Sequence, residues 1–396
     1  MTANVPPGTG VPRIVMVLPT YLPESFGGAA QQTRRLAQAL AGRGAAVTLL
    51  APRLQRRTPA RDREGQVVIR RFRLREPPNL GGRHLDSFLL WCLDVLAWLR
   101  RHRTDYDVVH VIHGRLHAFP AALAGSLFGK PVLIKPGGGG EDHFDLSVVQ
   151  RKRLLGSFFA RTIARNTTAW VATSRQIEED LGRWGVPPER VHAIPNGVDI
   201  PRNLAPPTRN GVVHFLSMGR LEPEKAVDQT IRAFAGLPAD SPARLTILGS
   251  GPCLPQLQAL SRSLDQGERI VFPGAVADVN PYLRDADVYL STSVWEGLSN
   301  ALLEAMSYGV IPVVSRVSGV ADVVEEDVSG LLFPPGDEAA LAARLAEALS
   351  MGPDRRRGMG EAACAAMRAR FSLDRVAECH LALYRKLIEA RPCARA

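Results

Sequence analysis

The chain has 396 residues, 45% of them hydrophobic and 22% charged, the composition of a globular protein long enough for two domains of ordinary size. Its formal charge of +10 is lopsided: residues 1–205 carry 29 Lys and Arg against 16 Asp and Glu, and residues 206–396 carry 20 against 23. Five scattered cysteines without a CxxC pair point to neither a disulfide framework nor a zinc site, the longest apolar run is too short to span a bilayer, and no helix-turn-helix or RNP-type signature accompanies the basic half, so no nucleic acid is expected as a partner. The opening MTANVPPGTGVPR has no apolar signal-peptide region, and the expected localisation is cytoplasmic.

In chain order, residues 13–19 read as a first buried strand, 21–28 as a loop and 31–40 as a helix stopped by Gly42 and Gly44. Strands follow at 46–51 and 67–72, a long helix at 84–102, a strand at 107–112, a helix ending near Gly129 and a strand at 131–135. A glycine-rich loop at 135–142, one helix over 146–165, strand 169–173, a helix from Ser174 and strand 191–195 complete this half. Alternating strands and helices at this spacing predict parallel βαβ units. The proline-rich polar stretch 201–211 reads as a linker. The second half repeats the theme, with strands at 212–218, 244–248, 269–272, 287–291 and 311–314 and an amphipathic helix over 373–390.

Two clusters in the second half carry chemistry. In WEGLSNALLEAMSYGVIPVV (295–314), Glu296 and Glu304 are eight residues apart around a helix that Gly297 opens, with Leu298, Leu302, Leu303 and Met306 as its buried stripe. Backbone N–H groups from Gly297 through Leu298 and Ser299 to Asn300 would hold an anionic diphosphate. Glu304, about two turns in, would accept from ribose hydroxyls, and Glu296 would reach a sugar hydroxyl. In VVHFLSMGRLEPEK (212–225), Gly219 breaks a buried strand and leaves Arg220 and Lys225 at its carboxyl end, where open α/β sheets bind ligands. Two cations there suit a diphosphate.

The runs GRLEPEKAVDQTIRAF, ILGSGP, EGLSNALLEAMSYGVIPVV and IPNGVD, with Gly27-Gly28 in the first half, resemble the retaining glycosyltransferases of family 4. The resemblance covers nearly the whole chain. It implies the α/β GT-B fold: two Rossmann-like domains with parallel sheets facing a cleft, an acceptor-binding domain over 1–203 completed by a crossover helix at 373–396, and a donor-binding domain over 208–372. It implies a nucleotide-diphospho-sugar donor, a UDP-sugar first among them, a hydroxyl acceptor (glycan, lipid-linked or small molecule), and no cofactor or bound metal. By the resemblance Arg220 and Lys225 face the diphosphate, Glu304 the ribose and Glu296 the donor sugar. Gly274 and Val276 form part of the base pocket, and Gly27 and Gly28 let backbone approach the donor. A GT-B phosphorylase or epimerase, or a non-catalytic nucleotide-sugar-binding protein, is the alternative.

The first half departs from that pattern. Many members carry a histidine where Pro136 and Gly137 stand. Lys135, Glu141 and Asp142 match instead a subset with a lysine and an acidic glycine-rich loop, so Lys135, Gly137, Gly138, Asp142 and His143 become candidate acceptor contacts, the other reading being a lid. His113 is added because it ends a strand. His110 and His113 are three apart on a strand and so face opposite sides, which disfavours a metal site, and Asp105-Tyr106-Asp107 lies at the wrong end of its strand for a metal-binding DxD. The segments 87–103 and 148–165 join apolar and basic residues. That composition suits core helices with solvated arginines or a peripheral membrane contact.

Overall fold

The computed structural model describes residues 10–25, 27–78, 85–140, 142–201 and 211–390. The chain divides into two units, Met1–Gly197 with Leu373–Ala396, and Val198–Ser372. Most of the expected linker, residues 202–210, lies outside the described residues, as do 391–396 of the expected crossover segment and Glu141.

The first unit is built on an eight-stranded sheet of β1 (Arg13–Val17), β2 (Ala46–Arg53), β3 (Arg61–Glu64), β4 (Val67–Arg73), β5 (Val108–Ile112), β6 (Val132–Lys135), β7 (Ala169–Ala172) and β8 (Val191–Ala193). The strand order is β3-β4-β2-β1-β5-β6-β7-β8, and all pairings are parallel except β3 with β4. Side chains of a strand alternate between faces, and the two cores follow that period. Ile14 and Met16 join a cluster with Leu36, Leu40 and Leu381, whereas Val15 and Val17 join one with Trp91, Val95 and Trp170. Helices α1 (Gly28–Gly42), α2 (Leu85–Arg101), α3 (Phe119–Phe128), α4 (Asp145–Gln150), α5 (Gly156–Asn166) and α6 (Arg175–Arg183) cover these faces. The single helix expected over 146–165 is two helices, broken at 151–155.

The second unit has a six-stranded, all-parallel sheet: β9 (Val213–Met218), β10 (Ala243–Leu248), β11 (Ile270–Gly274), β12 (Val288–Ser291), β13 (Ile311–Ser315) and β14 (Leu331–Phe333), ordered β11-β10-β9-β12-β13-β14. Around it lie α7 (Val227–Ala235), α8 (Leu254–Ser263), α9 (Asn280–Asp285), α10 (Asn300–Ser307), α11 (Ser318–Ala321), α12 (Glu338–Ser350) and α13 (Pro353–Ala366). Phe215, Val288 and Leu290 face one core and Leu216 and Tyr289 the other. The last helix, α14 (Leu373–Glu389), belongs to the first unit. Its stripe of Val376, Ala377, His380, Leu381 and Tyr384 is buried, with α1 as its neighbour. No helix among the described residues is long and apolar enough to cross a membrane.

Each sheet reverses its winding once, between β1 and β5 and between β9 and β12. Beyond the carboxyl ends of strands at such a reversal the two loops part and leave a crevice.

Candidate functional site

In the second unit that crevice is a small open cavity lined by Ser217 to Leu221 from the end of β9, Lys225 and Val227 from the following loop and helix, and Tyr289 to Ser293 from the end of β12. Arg220 stands at its mouth, its side chain 62% exposed, with Nη1 and Nη2 each 3.3 Å from a carboxylate, Glu222 and Glu224. Lys225 lies deeper and donates from Nζ to Glu296 Oε2, and the two side chains are only 21% and 16% exposed. The same Oε2 accepts from Ser293 Oγ at 3.0 Å. Thr292 holds the lysine loop in place: its Oγ1 bonds the carbonyls of Lys225 and Ala226 at 3.0 and 2.8 Å. A cation poised over a cavity and neutralised by a carboxylate can change partners when an anion enters.

The glutamate helix starts later than its sequence suggests. α10 begins at Asn300, with Ser299 as N-cap accepting from Leu302 N at 3.4 Å. Gly297 therefore belongs to the loop before the helix, and Glu304 stands one turn inside rather than two. Gly297 has a structural reason for its course. The chain returns past it at Gly319, where a Cβ would lie 1.4 Å from Gly297 O, and Ser318 Oγ donates to Glu296 O at 3.2 Å. Leu298, Leu302, Leu303 and Met306 are buried as expected. Tyr289 feels the charge of both glutamates at its hydroxyl. Burial pushes its hydroxyl above the ordinary phenol range, the Glu296 carboxylate raises it further and that of Glu304 adds to this, while hydrogen bonds with Ser299 and Ser291 oppose the rise. Gly274 is the last residue of β11 and accepts from Gly249 N at 2.9 Å, and Val276 packs on the neighbouring core. Ser293, Thr292 and Tyr289 are not among the residues to which the sequence motifs point. The run Ser291-Thr292-Ser293 directly after a buried strand is the signal that could have found them.

In the first unit, Gly27 is the N-cap of α1 and Gly28 its first residue, and a Cβ at Gly27 would meet only Ser25 Oγ, at 3.6 Å. Lys135 ends β6 and donates from Nζ to Asn196 Oδ1 at 2.6 Å, and burial pulls its ammonium down to about 8. The glycine loop after it is anchored at its backbone. Asp145, fully buried, accepts from Gly114 N and Gly137 N at 2.7 Å each and from Arg115 Nε at 2.9 Å. Asp180, 3% exposed, accepts from Gly140 N at 2.7 Å. A Cβ on Gly137 would fall 2.7 Å from the His113 imidazole, so this glycine serves a close approach to a side chain. Gly138 is buried within the same turn. Backbone bonds to two buried carboxylates favour a fixed turn over a lid. Asp142 points outward, 79% exposed and 2.6 Å from Arg151, and His143 is exposed beside it.

His113 is half-buried after β5 with φ 68°, its N–H bonded to Lys135 O at 2.8 Å, and burial lowers its pKa. His110 lies in the core, Nδ1 2.7 Å from Tyr384 Oη and stacked on His380 at 5.4 Å. Burial holds His110 well below the usual imidazole range and His380 down to about 3. Asp107 forms a fork with Arg13, at 2.7 and 3.0 Å, at the start of the parallel strands β1 and β5. Among the described residues no group of three or more His, Cys, Asp or Glu side chains could hold a metal ion.

The profile of the family described as "Glycosyl transferases group 1" matches residues 205–365, and that of "Glycosyl transferase 4-like domain" matches 27–197. The chain is similar to D-inositol 3-phosphate glycosyltransferase of Kineococcus radiotolerans, 30% identical over 336 residues that cover 77% of this chain and 72% of that protein. It is similar to the putative colanic acid biosynthesis glycosyltransferase WcaL of Salmonella typhimurium, 38% identical over 179 residues, where the match spans 42% of this chain and 44% of the relative. The structure of Anabaena Alr3699/HepE in complex with UDP and glucose superposes with a TM-score of 0.73 at 18% identity, covering 94% of this chain and 99% of that one. Sucrose-phosphate synthase from Thermosynechococcus elongatus superposes with a TM-score of 0.78 at 22% identity, covering 96% and 100%. At these identities the superpositions speak for the fold.

Proposed function

The chain belongs to the group 1, family 4-like glycosyltransferases with the GT-B fold, and we propose that it moves a sugar from a UDP-sugar to a hydroxyl acceptor with retention of configuration and without a bound metal ion. The observation that carries this reading is the Lys225–Glu296 pair beside the cavity at the β9/β12 reversal. An entering diphosphate takes Lys225 from Glu296, Arg220 turns from its two glutamates to the outer phosphate, and the N–H groups around Ser299 and Asn300 face the same charge. Glu296, released, accepts from a hydroxyl of the donor sugar, and Glu304 from the ribose. The bond from the anomeric carbon to the diphosphate oxygen breaks as the acceptor oxygen bonds the same face of that carbon. The acceptor proton passes to a phosphate oxygen, so no protein base is required.

Uridine is preferred over other bases because HepE, of the same fold, is described with UDP and with UDP-glucose. In the first unit, Lys135 and His113 are assigned to the acceptor, with Lys135 holding an oxygen as a charged donor. The proposed acceptor is a growing glycan, a lipid-linked glycan or a small hydroxylated product, and the proposed place of work is the cytoplasm. The test is a thermal-shift and calorimetry screen of UDP, GDP, ADP and TDP and their sugars, with Arg220→Ala and Lys225→Ala as controls, because a ligand of the native state raises its stability. UDP binding that both substitutions abolish supports the reading. A nucleotide bound equally well by both variants, or no nucleotide bound at all, overturns it.

A further inference from the structure

Large apolar side chains on a protein surface are ordinary when scattered, but a contiguous group marks a contact. Six exposed ones fall on two short stretches of the first unit: Leu89, Leu90 and Leu93 on α2, and Leu154, Leu155 and Phe158 at the turn into α5, each 44–66% exposed. The two stretches emerge around one aromatic cluster. Phe88 meets Phe159 edge to face at 5.5 Å, and Phe158 leans on Phe119 at 6.4 Å.

Both helices then change character along their outward stripes. On α5 the exposed positions three and seven residues after Phe158 are Arg161 and Arg165. On α2, Leu89, Leu93 and Ala97 lead to Arg100. Residues 146–168 include Arg151, Lys152, Arg153, Arg161 and Arg165 and no acidic residue. Apolar side chains rimmed by long cations suit an interface whose depth is hydrocarbon and whose surface is anionic, because arginine and lysine stems lie along the apolar part while their charges stay in the headgroup layer.

The backbone adds a second observation. Leu155 is the N-cap of α5 at φ 54°, a left-handed conformation that glycine or asparagine adopts more cheaply. A leucine held there and 59% exposed gains little packing within the chain to offset that cost.

We propose that this face, the α2 stripe together with the α4–α5 turn, docks on an anionic lipid bilayer as a peripheral contact. The reading is independent of the sugar-transfer assignment.

The experiment is sedimentation of the full chain with phosphatidylcholine–phosphatidylglycerol vesicles and with pure phosphatidylcholine vesicles, alongside light scattering of the free protein. The wild type pellets with the mixed vesicles at low salt, stays in solution with the neutral ones, and is released by high salt. The double variant Leu155→Asn, Phe158→Ser lowers the partition coefficient on mixed vesicles by about tenfold or more. Asparagine accepts the left-handed backbone, and an unchanged melting temperature confirms folding. Lys152→Glu with Arg153→Glu produces a comparable loss. The proposal is overturned by a wild type that ignores mixed vesicles, or by variants that partition like the wild type. It is equally overturned by a wild-type dimer that the same apolar substitutions dissolve, which would assign the face to a second copy of the chain.

Discussion

Replacing Glu296 with glutamine separates the two duties assigned to this carboxylate. In the structure Glu296 neutralises Lys225 and accepts from Ser293. A diphosphate drawn to the same ammonium would bring two like charges to about 5 Å. At an effective dielectric of about 40 their repulsion is about 1.7 kcal/mol, roughly fifteenfold in affinity. Glutamine keeps the shape and the Ser293 bond but removes the charge. Glu296→Gln is therefore expected to bind UDP about tenfold to twentyfold more tightly than the wild type, with a difference that shrinks as salt rises. Its turnover with a UDP-sugar falls by about a hundredfold or more, because the contact to the reacting sugar has lost its charge. Calorimetry with UDP at two ionic strengths, beside steady-state kinetics, reads both effects. Weaker or unchanged UDP affinity refutes the exchange of partners at Lys225, and wild-type turnover refutes the role of Glu296 at the sugar.

Lys135 makes a prediction in pH. Its ammonium is pulled down to about 8 from 10.5 by burial, so the charge is present at pH 7 and is lost as pH rises through about 8. Turnover should fall along that limb, and Lys135→Arg should remove the limb; a profile flat to pH 10 in the wild type denies the lysine a charged role. The linked stability runs the other way, because the unfolded chain binds this proton up to 10.5. The desolvation cost is fully present below about pH 8 and fades toward 10.5, so Lys135→Met should gain more stability at neutral than at alkaline pH. Asp145→Asn turns one acceptor oxygen of the buried carboxylate into a donor that faces N–H groups. A loss of about 2–3 kcal/mol, roughly 5–10 °C in melting temperature, should follow, and an unchanged melting temperature would show the turn to be held elsewhere. Gly319→Ala forces a methyl onto Gly297 O and should weaken UDP binding by about tenfold or more, whereas Gly352→Ala, in open space, should be silent; equal affinities in the two variants would dissociate the Gly297 loop from the site.

The central parallel strands were legible because they are short apolar runs buried on both faces, and Arg220, Lys225 and Glu296 stood out because they follow such runs. Two of the edge strands, β3 and β14, were not legible. The strand Arg61–Glu64 is RDRE, whose exposed and half-exposed charges hide the period of its antiparallel pairing, and Leu331–Phe333 is too short to announce itself. The break between α4 and α5 lies at a leucine in a conformation that sequence does not advertise. The sequence places the start of α10 three residues early, at Gly297, because a glycine is the stronger local break, whereas the cap is the Ser299 side chain. Asp145 and Asp180 stayed invisible for a different reason. They act on backbone N–H groups 8, 31 and 40 residues away, and no local pattern records such a partner.

The placement of α14 sets an order of assembly during synthesis. The chain leaves the first unit at Gly197 and returns at Leu373, and at the seam Val198 N donates to Phe371 O at 2.8 Å while Val198 bridges Ser372. All of Val198–Ser372 is thus made, with its ends side by side in the fold, before the first unit receives Val376, Ala377, Leu381 and Tyr384 for its core and His110 its hydrogen-bond partner. The part made first is the part finished last. A released chain truncated after Ser372 should carry a protease-resistant second unit and a first unit with an open apolar groove along α1, an obvious target for a chaperone.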